Sequence, residues 1–406
     1  MKASMGTNRL TYAVNRFLDD AGKIRFIVTN RDTEIPTIGL SVYEFDLMVS
    51  GSSPNSIDKY LNQLAYLYTW ASLCGIDMDS LLLRGGGMTN VHIRKFTYWL
   101  RERNTRKNTP LTSPSYNSIV NRCATFCSWC RIWRENPDHP LEDFTKNLQQ
   151  KQMEKQSWSI RTLRVRSTKM SPNLEEDEIL AVQKYLKPQQ VITHTSQTVE
   201  LAFRNYLIWR LAIEMGLRIS EILALRLKDC PQQGRNYISV VRIEDRGSGY
   251  IDPRGTYAPR PKTLSRDLGF IINSTPLPRL IQDYISKYRY KKTLGGTKQF
   301  MLNHDFLIIA HDTAAPLSIT SAESVGKKIS INSGVTKFHW HIVRHAFFNR
   351  AYAAVVEEKS QLSDLIYFGG WSDSNSLNIY NQRAVRDRSI KSLALWQQSN
   401  QWEALN

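Results

Sequence analysis

Six side chains in the second half of this 406-residue chain have the types and spacing to work on a phosphate diester. Arg218 stands in Gly-Leu-Arg-Ile-Ser-Glu-Ile, Lys262 in Pro-Lys-Thr-Leu-Ser-Arg, and His341 and Arg344 in His-Ile-Val-Arg-His. Trp371 and Tyr380 close the series in Gly-Gly-Trp-Ser-Asp-Ser-Asn-Ser-Leu-Asn-Ile-Tyr. Cleaving a phosphodiester loads negative charge onto its non-bridging oxygens. An arginine fork is always charged and donates paired hydrogen bonds to such oxygens. His341 lies one helical turn before Arg344, so the two share a helix face. A lysine poised over a leaving oxygen can protonate it, and Lys262 stands in a stretch that also holds Arg254, Arg260 and Arg266. An indole N–H donates but cannot shuttle a proton. A phenol attacks phosphorus once its anion is stabilised by surrounding cations. Taken singly, each residue has an ordinary reading: a surface arginine near a helix cap, a loop cation, a histidine satisfied in a core, a tryptophan buttressing a helix.

The elements that must hold these residues can be read from the apolar periodicity. After a strand-like stretch at 23–29, residues 1–45 form an extension of irregular or β character. Helical spacing follows from Ser53-Pro-Asn-Ser through Gly75, near 90–103, and from Ser113-Pro-Ser to Trp133. Residues 46–145 therefore make a small helical domain. Residues 146–170 read as a basic linker carrying Arg161, Arg164, Arg166 and Lys169, suited to track a polyanion. A second domain spans 171–385, with Asn173 and Glu176 at N-cap spacing. It runs helix, small sheet near 237–243 and 267–272, then helices again at 278–290, 321–331 and from 341 onward. Residues 386–406 form a tail with an apolar helical stripe through Ile390, Leu393 and Ala394. The fold class is mainly α with a small antiparallel β-sheet.

The order, types and local context of the six residues resemble the tyrosine recombinases of the phage-integrase family, over about 175–383. Gly-Leu-Arg-Ile-Ser-Glu-Ile is similar to that family's first arginine motif, and His341 to Arg344 has its H-x-x-R spacing, which His339 lacks. His345 falls where the family often carries histidine, and Glu221 at a supporting acidic position. Tyr380 follows Trp371 at the family distance, which Tyr352 and Tyr367 do not match. Most relatives have histidine where Trp371 stands, so the resemblance leaves acid–base work to Lys262 and His341. It implies catalytic Arg218, Lys262, His341, Arg344, Trp371 and Tyr380, and a core-binding domain that closes with the catalytic domain as a C-shaped clamp on double-stranded DNA. It further implies a covalent 3′-phosphotyrosyl intermediate, no metal and no cofactor. The expected partner copies make a homo-tetramer on paired sites and a monomer or dimer off DNA. Accessory recombinases or directionality factors are left open. A type IB topoisomerase and a non-catalytic DNA-binding factor are the rival readings, separated by strand exchange and by covalent trapping.

Composition agrees with a polyanion partner. Lys plus Arg number 54 against 37 Asp plus Glu, a formal charge of +17, and each neutralised phosphate releases condensed counterions. Arg260 and Arg266 join the linker cations as expected DNA contacts. No apolar run approaches the roughly 20 residues of a membrane span, and the N-terminus lacks a leader pattern, so a cytoplasmic, nucleoid-associated protein is expected. Cys123, Cys127 and Cys130 share one helix face and read as core, because no second Cys or His pair completes a four-ligand site.

Overall fold

The computed structural model describes residues 9–84, 87–103, 109–134, 141–164, 172–194, 197–232, 235–247, 250–270, 276–293 and 295–399. The chain divides into two units, Met1–Ser167 and Thr168–Asn406. Both are helical with two-stranded antiparallel sheets.

The first unit opens with a hairpin, β1 (Tyr12–Leu18) and β2 (Ile24–Asn30), in register from Tyr12↔Asn30 to Leu18↔Ile24. Helix α1 (Ile38–Val49) follows. The strand expected at 23–29 is β2, and the hairpin and α1 are part of the core of this unit. Ile24, Phe26 and Val28 alternate inward and pack with Leu40, Tyr43 and Leu47 of α1. Glu44, only 2% exposed, is held by a two-pronged contact from Arg25 at 3.0 and 2.8 Å. Helices α2 (Pro54–Leu73), α3 (Asn90–Arg101) and α4 (Ser113–Arg134) stand where the periodicity put them. Ser53 caps α2 by accepting from the Ser56 amide, with Pro54 in the first turn. Cys123, Cys127 and Cys130 are buried in this core, and no metal-holding group of His, Cys, Asp or Glu occurs among the described residues.

Helix α5 (Leu141–Ser159) replaces most of the expected linker. Its run of Leu, Gln, Lys, Met and Glu contains no glycine or proline, and such residues favour helix whatever their charge. Arg131 pairs with Glu154, and Trp158 is buried. Asn117 exchanges two 2.7 Å hydrogen bonds with the Leu163 backbone, so the first unit extends past the helix end.

The second unit is built around α8 (Val199–Met215), which follows α6 (Glu176–Leu186) and α7 (Pro188–His194). Ala202, Leu207, Ile208, Trp209, Leu211 and Ala212 are buried together with Arg204 and Asn205, so α8 is enclosed nearly all round, as befits a central helix. The amide of Glu175, not Asn173, marks the start of α6 by donating to Glu178 at 2.8 Å; Asn173 accepts from Asn349 instead. Short α9 (Ile219–Ala224) leads to β3 (Tyr237–Val240) and β4 (Arg266–Gly269), paired from Tyr237↔Gly269 to Val240↔Arg266. Then come α10 (Leu277–Asp283), a wider turn at Tyr284–Tyr288, a minimal hairpin of β5 (Lys291–Lys292) and β6 (Lys298–Gln299), and α11 (Ile319–Asn332). The chain ends in α12 (Trp340–Val356), α13 (Leu362–Gly369) and α14 (Asn378–Ser399). No described helix is long and apolar enough to cross a membrane.

Candidate active site

Arg218 owes its place to the end of α8. Gly216 terminates that helix at φ 64°, and a Cβ there would lie 2.4 Å from the Phe347 ring. Only glycine lets the turn close so tightly on α12. Two residues later Arg218 caps α9, its amide donating to Glu221 at 2.8 Å. Helix α12 presents His341, Arg344 and His345 to the same region. His339, the rival histidine, is instead consumed as the α12 cap, its Nδ1 accepting from the Ile342 amide at 3.2 Å.

Glu221 is the hub. Its side chain is fully buried and lies 3.2 Å from Arg266, 3.5 Å from Arg218 and 3.7 Å from Arg344, and it accepts the Thr263 hydroxyl. Burial by itself would raise the carboxyl pKa, but Arg266, Arg344 and Arg218 outweigh it and hold it below the usual range. Three guanidiniums thus share one carboxylate, leaving a net positive pocket. Arg218 Nη1 is buried and faces Glu221 Oε1 at 3.5 Å, an ion pair without hydrogen-bond geometry.

Arg344 is more enclosed than an open clamp. Its Nη1 donates to Gly216 O at 2.6 Å and its Nη2 to Gly369 O at 2.9 Å. The guanidinium lies 4.6 Å from the Phe348 ring and 5.2 Å from Trp371. Desolvation, then Arg218, lowers its pKa to about 9, so it stays charged at neutral pH.

Tyr380, 3% exposed, packs with Phe348, Leu365 and Leu377. Its ring is 5.7 Å from His345, 5.8 Å from Phe348 and 6.0 Å from Trp371. Burial raises the phenol pKa, while Arg344 and Arg218 pull it back. His345 touches His341 edge-to-face at 4.5 Å. Desolvation first, then His341 and the cations around it, push His345 down to about 4. Desolvation, with Arg218 and Arg344, lowers His341 as well. Both imidazoles are therefore neutral at pH 7 and able to accept a proton.

The structure brings Arg218, Glu221, His341, Arg344, His345, Trp371 and Tyr380 together. Lys262 is exposed on the adjoining loop, immediately before Thr263, and its amine makes no hydrogen bond or ion pair among the described residues. Arg266 does not lie on a DNA-facing surface: it is 6% exposed, with Nε donating to Phe368 O at 2.8 Å and Nη1 to Glu221 and Thr263. The signal was present in the strand alternation, because Arg266 shares its face with Leu268 and Phe270, both buried. Thr263 was missed because it lies in the loop before the strand, where no local pattern announces its contact with Glu221. Arg161 and Arg260 are half-buried and Arg164 is exposed, while Arg166 and Lys169 lie outside the described residues. Tyr352 is half-buried in the cluster around Tyr380. Tyr367, expected in a core, is 52% exposed, and its hydroxyl is tied to the Asp267 backbone at 3.0 and 3.3 Å.

Comparison with known families matches the phage integrase family over residues 184–386, half of the chain. Among solved structures, XerA recombinase is 14% identical, with 87% of this chain and 97% of that one covered and a TM-score of 0.37. XerH site-specific recombinase bound to a difH substrate is 14% identical, covering 82% and 79%, with a TM-score of 0.49. A lambda integrase (75–356) dimer bound to a COC′ core site is 12% identical, covering 83% and 94%, at 0.47. No curated protein matches. It is the family match that carries weight.

Proposed function

Because this chain belongs to the phage integrase family, we propose that it is a site-specific DNA recombinase in which Tyr380 attacks a scissile phosphate. The phenol oxygen forms a bond to phosphorus as the bond to the 5′ oxygen breaks, leaving a 3′-phosphotyrosyl link and a free 5′ hydroxyl. His341, neutral and beside the cations, takes the phenol proton. Lys262 supplies a proton to the departing oxygen. Arg218, half-buried beside Glu221, and Arg344, through its buried charge, offset the charge gathering on the non-bridging oxygens. Trp371 buttresses Tyr380 against Phe348. The released 5′ hydroxyl then attacks the phosphotyrosine on a partner duplex, so bond energy is conserved without a nucleotide or metal. Two such exchanges through a Holliday junction, in a tetramer assembled on paired sites, complete recombination, as a mobile element would use it.

The observation that carries this reading is the setting of Tyr380. It is buried beside His345 and Trp371, where Arg344 and Arg218 oppose the rise that burial gives its phenol, whereas the Tyr367 hydroxyl is tied to a strand edge. DNA binding is supported by charge and by α3, which exposes Arg94, Lys95, Tyr98 and Arg101 with no ion pair among the described residues. Arg164, Arg166, Lys169 and Arg260 would add phosphate contacts. The tail, including exposed Ile390 and Leu393 of α14, is the segment suited to dock on a neighbouring protomer.

The test is covalent trapping. A pool of nicked duplexes with randomised sequence is incubated with the protein, and denaturant-resistant adducts are recovered and sequenced. The wild type should yield adducts and Tyr380→Phe none, with both proteins binding DNA alike. Adducts in the Phe variant would refute the nucleophile. Strand transfer between two selected duplexes, rather than relaxation of a supercoiled circle, separates recombinase from topoisomerase.

A further inference from the structure

Arg266 makes more contacts than an arginine at the end of a short strand needs. Its guanidinium spans three pieces of chain. It meets Glu221 on α9 at 3.2 and 3.3 Å. Within its own loop it donates to Thr263 Oγ1 at 3.0 Å and Leu264 O at 3.3 Å. It reaches across to Phe368 O, at the end of α13, at 2.8 Å. Beside it the Leu264 amide donates to Gly370 O at 2.9 Å. Gly370, at φ 61°, admits the approach because a Cβ there would sit 2.7 Å from Arg266 Nη1. Thr263 also donates to Glu221, so the polar anchors of Thr263 and Leu264, the two residues that follow Lys262, end on Arg266, on Glu221 or on the Gly370 turn, while Ser265 is held by Asp245 and the Arg242 amide. Lys262 itself is exposed, and among the described residues nothing pairs with its amine.

We infer that Arg266 is a positioning residue for Lys262: it staples the Lys262 loop to Glu221 and to the turn before Trp371, and so sets the lysine amine over the departing 5′ oxygen. This rests on the acid role given to Lys262 above. Arg266 touches neither DNA nor the reacting atoms in this arrangement. Removing it leaves Glu221 still paired with Arg218 and Arg344, so the charge that faces phosphate persists while the loop loses its staple. The defect should therefore fall on leaving-group protonation and spare the nucleophile and the charge clamp.

A substrate in which sulfur replaces the bridging 5′ oxygen isolates that step, because a thiolate leaves without being protonated. Sequences recovered from the randomised nicked pool are resynthesised with 5′ oxygen and with 5′ sulfur. Adduct formation is timed for the full-length wild type, Lys262→Ala, Arg266→Met, Arg266→Lys and Arg344→Ala. Arg266→Met should be slowed on the order of 10²-fold on oxygen and stay within about threefold of wild type on sulfur, as Lys262→Ala does. Arg266→Lys can pair with Glu221 but cannot span all three contacts, so it should show the same oxygen-selective defect at smaller size. Arg344→Ala should be slow on both substrates. If either Arg266 variant that folds, by its thermal melt, is slowed equally on oxygen and sulfur, Arg266 does not act through Lys262 and the proposal is overturned. If the wild type forms no adduct, or Tyr380→Phe still forms one, the underlying reading fails and takes the proposal with it. The two failures are thus distinguishable.

Discussion

Replacing Glu221 by glutamine removes one charge and hardly any volume, yet it should be among the most damaging single changes in the second unit. The carboxylate sits 3.2, 3.5 and 3.7 Å from Arg266, Arg218 and Arg344, with its own side chain fully buried. At an effective dielectric of about 20, each contact represents roughly 5 kcal/mol of attraction. Most of that offsets the cost of desolvating the ions. What decides the outcome is that the arginines remain buried after the carboxylate is gone, and breaking a buried pair in this way costs about 3–5 kcal/mol. The amide also turns a donor toward the Arg218 N–H or toward Thr263 and Arg266, all of which donate to Glu221 now. For a unit of this size the loss corresponds to roughly 6–20 °C in the melting temperature. The sign of the pH effect follows from the depressed carboxyl pKa. The stabilisation from Glu221 is present above its ordinary pKa of 4.5 and is lost as pH falls through the lower folded value. Scanning calorimetry on wild type and Glu221→Gln from pH 7 to 3 should show the unfolding transition of residues 168–406 lowered at neutral pH, with the gap closing in acid. A shift below about 1 kcal/mol at pH 7 would refute the view that this carboxylate holds the site together.

Arg218→Ala and Arg344→Ala should each slow adduct formation about 10²–10³-fold, but only Arg344→Ala should also lower the melting temperature markedly, because it removes buried bonds to Gly216 O and Gly369 O. Equal melting temperatures for the two variants would contradict the enclosed geometry. His345 has a folded pKa near 4 against an ordinary 6.5, so its neutral form contributes stability above about 6.5 that is lost progressively as pH falls toward 4. His345→Asn should flatten that part of the stability–pH curve, and an unchanged slope in a titrated chemical denaturation would count against a buried neutral imidazole.

Much of this was legible because local rules and tertiary packing agree. Ser53-Pro54 starts α2, the Tyr116–Cys130 stripe defines α4, and five of the six motif residues of the second unit lie together, with Lys262 exposed on the adjoining loop. The failures have physical causes. Helix α1 was invisible because Leu40, Tyr43 and Leu47 face the β1–β2 hairpin while Ile38, Phe45 and Val49 stay exposed, which blurs the periodicity. Helix α5 hid behind its lysines, since charge density marks solvent exposure but says nothing against helix. Arg266 was assigned to the surface by its charge, although its register with Leu268 placed it inside. The enclosure of Arg344 depends on carbonyls at Gly216 and Gly369, separated from it by 128 and 25 residues, and no local pattern announces those.

Helix α14 carries a mechanical consequence. It is unbroken from Asn378 to Ser399, and its inner end is clamped by buried Tyr380 and by the 2.8 Å pair of Arg383 with Glu175. Residues 385–391 are exposed, yet the rod does not stand alone: it packs against α12, and Lys391 comes within electrostatic reach of Glu357 at the end of that helix. At 1.5 Å per residue it reaches about 28 Å beyond the Tyr380 phenol. A pull on its distal end is therefore carried into α12 as well, the helix that holds His341, Arg344 and His345, so Tyr380 and those side chains shift together.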